Sequence, residues 1–107
     1  AASTGPVADR AGIEALLANL RGRRKFSKAT HHSWAAILPG GEALKGDDGE
    51  AGAGAVILKM LEREGLRGHI VVVTRWYGGV HLGGDRFAHV MTCTREALAA
   101  LRSAPSP

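Results

Sequence analysis

Three carboxylic acids stand close together in one short segment bracketed by glycines, Lys45-Gly46-Asp47-Asp48-Gly49-Glu50. Carboxylates this close repel one another, and the repulsion destabilises a fold unless a cation, backbone N–H groups or a helix N-terminus compensates it. A hard cation such as magnesium is one candidate, although the spacing lacks the alternating ligands of a calcium loop. The other interpretation is structural: Asp48 and Glu50 cap the following helix, and Asp47 pairs with an arginine elsewhere.

A second segment, Arg75 to Phe87 (RWYGGVHLGGDRF), has the composition of a binding loop. Its glycines allow backbone N–H groups to approach a ligand, and a helix N-terminus adds partial positive charge, so the segment could form an anion cradle between two arginines. The phosphate-loop lysine and the dinucleotide glycine spacing are both absent, which removes the usual support for nucleotide hydrolysis and dehydrogenation. Alternatively, the glycines make a tight crossover, the aromatic side chains cover the edge of the core, and Arg75 or Arg86 forms an ion pair with the acidic segment. The candidate binding residues are Arg75, Trp76, Tyr77, Gly78, Gly79, Gly83, Asp85 and Arg86.

The histidines and the single cysteine make weaker sites. His31 and His32 are adjacent on a predicted strand, so they point to opposite faces and cannot chelate one ion as a simple pair. His89 and Cys93 share a helix face, but no further zinc ligand and no orienting acid is evident beside them. A hydrolase that uses His32 with the acidic segment is a third functional class. We expect no catalytic residue, no metal and no cofactor, and we keep both adjacent histidines as candidate binding residues.

The net charge of +4 comes from one basic run. Outside that run, 9 of the 14 lysines and arginines remain against 10 acids. Such a run at a helix end can contact nucleic-acid phosphates, or it can be a solvated loop whose cations suit a helix C-terminus. Its residues are Arg21, Arg23, Arg24, Lys25 and Lys28.

The length of 107 residues is enough for one modest core, and therefore for one domain. The single cysteine excludes an intramolecular disulfide and favours a reducing compartment, so we expect a cytoplasmic protein. No apolar stretch approaches the roughly 20 residues that a membrane-spanning helix needs. Residues 1–8 and 102–107 have the small, proline-containing composition of frayed ends, although a short edge strand before Pro6 is an alternative.

Hydrophobic periodicity places these segments on a framework of helices and strands. Asp9 is the expected cap of the first helix, and His69 to Thr74 is apolar enough for a central strand. The order predicts an α+β fold with a roughly four-stranded mixed sheet and helices on one face, a two-layer sandwich. The predicted elements are a helix from Asp9 to Gly22, strands at Thr30 to Leu38, Glu42 to Lys45 and His69 to Thr74, and helices from Gly49 or Glu50 to Glu64 and from Asp85 onward.

Three stretches resemble the IMPACT family, whose bacterial relatives are the YigZ proteins. They are ATHHSWA at Ala29 to Ala35, DDGEAGAG at Asp47 to Gly54, and VVVTRWYGGVHLGGDRFAHV at Val71 to Val90. Together they cover about two thirds of the chain, and the RWYGG and DRF pieces look like the eukaryotic branch.

The resemblance implies the fold of the second domain of ribosomal protein five of the small subunit. It also implies a non-catalytic role in translational control, in which IMPACT proteins bind the ribosome-associated activator of the starvation-sensing kinase of initiation factor two and restrain that kinase. Direct binding of RNA or the ribosome through the basic run is the alternative. The amino-terminal RWD domain of the eukaryotic proteins and the carboxy-terminal ferredoxin-like domain of the bacterial ones are absent from these residues.

Overall fold

The computed structural model describes residues 2–23, 29–47, 52–76 and 85–103. The order of elements agrees with the order expected from periodicity, with an additional strand at the amino-terminal end. The elements are β1 (Ala2–Pro6), α1 (Arg10–Gly22), β2 (Ala29–Ile37), β3 (Ala43–Asp47), α2 (Ala53–Glu64), β4 (His69–Trp76) and α3 (Asp85–Ser103).

The four strands form one sheet in the order β1-β4-β2-β3, and every neighbouring pair is antiparallel. The α+β class and the four strands are therefore confirmed, whereas the predicted mixed sheet is wrong. The reason lies in the path of the chain. Helix α2 returns the chain to the end of the sheet where β3 began, so β4 runs in the direction of β3 but pairs with β2, which runs the opposite way.

Helices cover both faces of the sheet. On one face Ala35 and Val71 pack with residues of α2 and α3, and on the other Ala36 and Val72 pack with residues of α1. The prediction of helices on a single face, and with it the two-layer arrangement, is wrong. The run from Ile70 to Val73 is apolar at both odd and even positions, which is the pattern of a strand that is buried on both faces.

The amino-terminal residues are ordered by backbone pairing. Strand β1 pairs with β4 from Ala2, opposite Val73, to Pro6, opposite His69. Residues 2–6 are therefore a paired strand and not a frayed end, and the edge-strand alternative is confirmed. Small side chains do not prevent a strand here, because the ladder bonds come from the backbone. At the other end α3 continues to Ser103, beyond the predicted limit of order at residue 101.

The first helix begins as expected, and the second begins later. The Asp9 carboxylate accepts a hydrogen bond of 2.8 Å from the Gly12 N–H, which satisfies one free donor of the first turn of α1. Helix α2 starts at Ala53, after Gly52 with a left-handed φ of 87°, and its first turn contains no acidic residue. A left-handed residue cannot continue a right-handed helix, so the predicted start at Gly49 or Glu50 is wrong.

Candidate binding site

The strand directions bring the signature segments to one end of the sheet. Strand β2 begins at Ala29, β3 ends at Asp47 and β4 ends at Trp76. The registers align these termini, because Ser33 of β2 is the Cα partner of both Asp47 and Val73. We call this region, residues 29–33, 47 and 73–76, the motif end of the sheet. Pieces of all three signature stretches therefore lie together, although they are far apart in the sequence.

The acidic and arginine-bearing segments lie on either side of β2. Arg75 is the Cα partner of His31, two positions along β2 from the Ser33–Asp47 pair. Adjacent strands are about 4.8 Å apart and each residue advances about 3.3 Å, so the backbones of Asp47 and Arg75 are about 12 Å apart. For His31, Asp47, Arg75 and Trp76 the structure describes the backbone and not the side chains. The predicted ion pair between the two segments stays a prediction.

His32 lies in the interior of the protein. Its side chain is 4% exposed, and its Nδ1 is 3.1 Å from the hydroxyl Oγ1 of Thr74, its Cα partner on β4. Thr74 is 1% exposed. An imidazole in this position joins the two central strands and meets no solvent-borne ligand unless its neighbours move. Its burial favours a role in positioning the motif end over a role in ligand contact or hydrolysis.

Ser33 is a residue of this region that the sequence analysis missed. It is 1% exposed, and its hydroxyl has no hydrogen-bond partner within the described ranges. Ser33 is the Cα partner of both Asp47 and Val73, so it lies between β3 and β4 at the motif end. The available signal was a serine at an alternate position to Ala35 and Ile37, both of which are apolar.

The indole of Trp34 packs over the backbone of Gly46, its Cα partner on β3. A Cβ atom at position 46 would lie 2.7 Å from Cε2 of the indole, closer than a real contact allows. The absent side chain of Gly46 is therefore what lets the tryptophan cover the strand. Because Gly46 immediately precedes Asp47, this contact helps to fix where the acidic segment leaves the sheet.

Several predicted site residues lie outside the described residues or only partly within them. Asp85 and Arg86 form the beginning of α3, as predicted, and the structure describes their backbone alone. Arg21 and Arg23 are exposed at the end of α1, where Arg23 Nε donates a 3.2 Å hydrogen bond to Asn19. The residues outside the described ranges are Arg24, Lys25, Lys28, Asp48, Glu50, Tyr77, Gly78, Gly79 and Gly83.

The alternative metal and nucleophile sites can be checked against the positions of the described side chains. Within residues 2–23, 29–47, 52–76 and 85–103, no three His, Cys, Asp or Glu side chains come together as metal ligands, and Asp48 and Glu50 lie outside this search. Cys93 Sγ is 3.6 Å from His89 Nε2, and Cys93 is 7% exposed.

Within residues 2–23, 29–47, 52–76 and 85–103, no helix has the length and apolar character to cross a bilayer.

Comparison with known proteins gives one consistent result. The family model of the Impact N-terminal domain matches residues 1–98. Protein IMPACT of Oryctolagus cuniculus is 36% identical over 111 aligned positions, which cover 95% of this chain and 34% of that protein. The IMPACT homolog of Schizosaccharomyces pombe is 38% identical over 87 positions, which cover 78% of this chain and 31% of that protein.

Two solved structures resemble this fold. The two-domain translational regulator Yih1 has a TM-score of 0.58 and 36% identity, and the match covers 95% of this chain and 41% of that one. A crystal structure of a hypothetical protein has a TM-score of 0.78 at 23% identity, covers 99% of this chain and 52% of that one, and shows the likeness of fold alone.

The chain spans about a third of the length of the curated relatives it matches. The matched residues include all three signature stretches, since the family model covers residues 1–98 without leaving any of them out. This agreement confirms the resemblance inferred from those stretches: the chain belongs to the IMPACT family.

Proposed function

We propose that this chain is a non-catalytic, protein-binding domain of translational control. In the cytoplasm it binds the ribosome-associated activator of the starvation-sensing kinase of initiation factor two, and it thereby restrains that kinase. The observation that carries the proposal is the likeness to the translational regulator Yih1, at 36% identity over 95% of this chain. Membership of the IMPACT family supports the same role.

The motif end of the sheet is the proposed contact surface. There the end of β4, at Arg75 and Trp76, leads into the glycine-rich segment, and the end of β3 leads into the acidic one. Aromatic and arginine side chains supply large shares of the binding energy in many protein interfaces. Beneath this surface the buried side chains of His32 and Thr74 contact each other and link the two central strands.

Pull-down from a cytosolic extract tests the proposal. The immobilised chain is expected to recover the kinase activator, and the double substitution Arg75→Glu with Trp76→Ala is expected to lower recovery at least tenfold. A matched control, Arg67→Glu with Leu66→Ala, changes one exposed arginine and one half-buried apolar residue far from the motif end. Far-UV circular dichroism establishes that all variants fold. If the folded wild-type chain recovers no activator, or both variants behave alike, the proposal fails.

The second candidate is binding of RNA or the ribosome through the basic run. The observation in its favour is that Arg21 and Arg23 are exposed at the end of α1, where their cations are available to phosphates. Counterion release predicts that RNA affinity falls steeply with salt and that Arg21→Glu with Arg23→Glu weakens it. Fluorescence anisotropy with a labelled single-stranded RNA measures both effects. Affinity that is independent of salt concentration argues against this candidate.

A further inference from the structure

A groove of about 410 Å³ lies between α2 and α3 and is lined by residues of these two helices. Its apolar floor contains Met60 of α2 and Met91 of α3, both half-buried, together with the buried Leu98. Methionine is unbranched and polarizable, so it adapts to ligands of different shape, and it is common on surfaces that bind several partners. The floor is therefore suited to apolar side chains of a partner.

The rim of the groove is strongly basic. Arg63 of α2 and Arg95 and Arg102 of α3 line it, against one acid, Glu64. Arg102 Nη1 lies 3.2 Å from Glu64 Oε2, an ion pair that joins the two helices. Among the described residues Arg63 and Arg95 have no acidic partner, and both are exposed. The groove thus presents two cations, on opposite walls, that are available to carboxylates of a ligand.

The spacing of the lining residues shows what length of ligand fits. On α3 Met91, Arg95, Leu98 and Arg102 are separated by four, three and four residues, which places them on one helix face. The rise of an α-helix gives this stripe a length of about 16 Å, or three turns. An antiparallel or parallel helix of three turns has the same repeat and the same length, so its apolar stripe can lie over Met91 and Leu98.

The groove is separate from the motif end of the sheet. Its residues come from the carboxy-terminal half of α2 and from α3 beyond its first turn, and none of them belongs to residues 29–33, 47 or 73–76 of the motif end. A ligand in the groove would leave the proposed contact surface uncovered. Any role of this groove therefore goes beyond the function proposed above.

We propose that the α2–α3 groove is a docking site for an acidic amphipathic helix of a protein partner. Apolar side chains of that helix lie on the methionine floor, and its Asp or Glu side chains pair with Arg63 and Arg95. The apolar floor favours a protein over RNA. Arginines alone would be enough to bind phosphates, whereas the methionine side chains suit apolar side chains of a protein. Charge complementarity favours an acidic helix over a second copy of this chain, whose own matching helices would bring the same arginines face to face.

The chain itself offers a selective probe, since it has two methionines and both line this groove. Labelling the methionine methyl groups with carbon-13 gives two NMR signals, which Met60→Leu assigns. The ligand is a synthetic 14-residue peptide with leucine at positions 2, 6, 9 and 13 and glutamate at most others. A permuted peptide of the same composition, with its leucines spread around the helix, is the control ligand. Binding of the first peptide is expected to shift both signals in a saturable way.

Matched charge variants of the full chain separate the groove from general electrostatics. Arg63→Glu with Arg95→Glu is expected to weaken peptide binding at least tenfold. Lys45→Glu with Arg67→Glu makes the same change in net charge at two exposed residues that do not line the groove, and it is expected to weaken binding less than threefold. Circular dichroism verifies that both variants keep the wild-type helix content.

Five results would overturn this proposal, and the first four concern the peptide. These four are methyl signals that do not move at millimolar peptide, equal shifts with the permuted peptide, equal weakening by the two charge variants, and stronger shifts with oligouridylate RNA than with the peptide. Shifts that depend on protein concentration without peptide would indicate self-association and would also contradict it. None of these measurements depends on recovery of the kinase activator, so this proposal and the proposed function fail independently.

Discussion

Replacement of Gly46 by alanine tests the contact that fixes the end of β3. The new Cβ would lie 2.7 Å from Cε2 and 3.1 Å from Cδ1 of the Trp34 indole. Distances this short require the ring or the strand to move. Trp34 is half-buried and packs against the residues of the α1 face, so its displacement also disturbs that core.

The expected change in the free energy of unfolding is the sum of two opposing contributions. Overpacking of this kind costs about 1–3 kcal/mol. Alanine also restricts the unfolded chain, which stabilises the folded state by about 0.4–1 kcal/mol. We therefore expect Gly46→Ala to lower the free energy of unfolding by about 1–2 kcal/mol. For a domain with a total stability of about 5–15 kcal/mol, this is a substantial loss.

Urea unfolding followed by far-UV circular dichroism measures the change. The matched control is Gly40→Ala, because position 40 has open space around its Cβ and no positive φ. This control is expected to change stability by less than about 1 kcal/mol, in the stabilising direction. In a Trp34→Leu background the cost of Gly46→Ala should fall by about 1 kcal/mol or more, which a double-mutant cycle reveals.

The reasoning is refuted if Gly46→Ala is as stable as Gly40→Ala. It is also refuted if Gly46→Ala destabilises the protein equally with and without Trp34, since the cost would then come from the strand backbone and not from the indole.

Three further substitutions or labels test the framework around the site. Asp9→Ala should cost about 1 kcal/mol of stability because it removes the cap of α1, while Asp9→Asn should retain most of it, and thermal unfolding measures both. Ile57→Ala should cost about 2–5 kcal/mol because this side chain is 0% exposed, and a cost below that of Ile57→Val would contradict the burial. Cys93 should react with a thiol reagent at least ten times faster in guanidinium chloride than in the folded protein, since it is 7% exposed.

Much of the framework could be predicted because its signals are local. Apolar residues at helical spacing from Ile13 to Leu20 placed α1, and Gly65, with a φ of 64°, ends α2 where the sequence indicated. The beginning of α2 could not be placed, because acidic residues before an apolar repeat resemble a first turn. The left-handed conformation of Gly52 is set by how the chain enters the helix, and glycine alone does not specify it.

The sequence predicted which segments belong to the candidate site, but it did not predict the burial and contacts of their side chains. Composition singled out the acidic and glycine-rich segments, and their resemblance to the IMPACT family indicated that they belong together. The side of the sheet on which His32 lies followed from strand alternation, but its burial did not, since exposed and buried histidines share the same pattern. Ser33 escaped notice because a serine in a strand is ordinary until its surroundings exclude water.

The amino-acid sequence by itself determined the number and order of the helices, the central strand and the family, because each depends on spacings within a few turns or on a continuous run of residues. Tertiary structure alone decided that β4 enters between β1 and β2, that helices cover both faces, and that Met60 and Met91 share one groove. Those outcomes join residues that are far apart in the chain. They depend on apolar burial and backbone pairing across the whole sheet, and a local sequence pattern does not specify these long-range contacts.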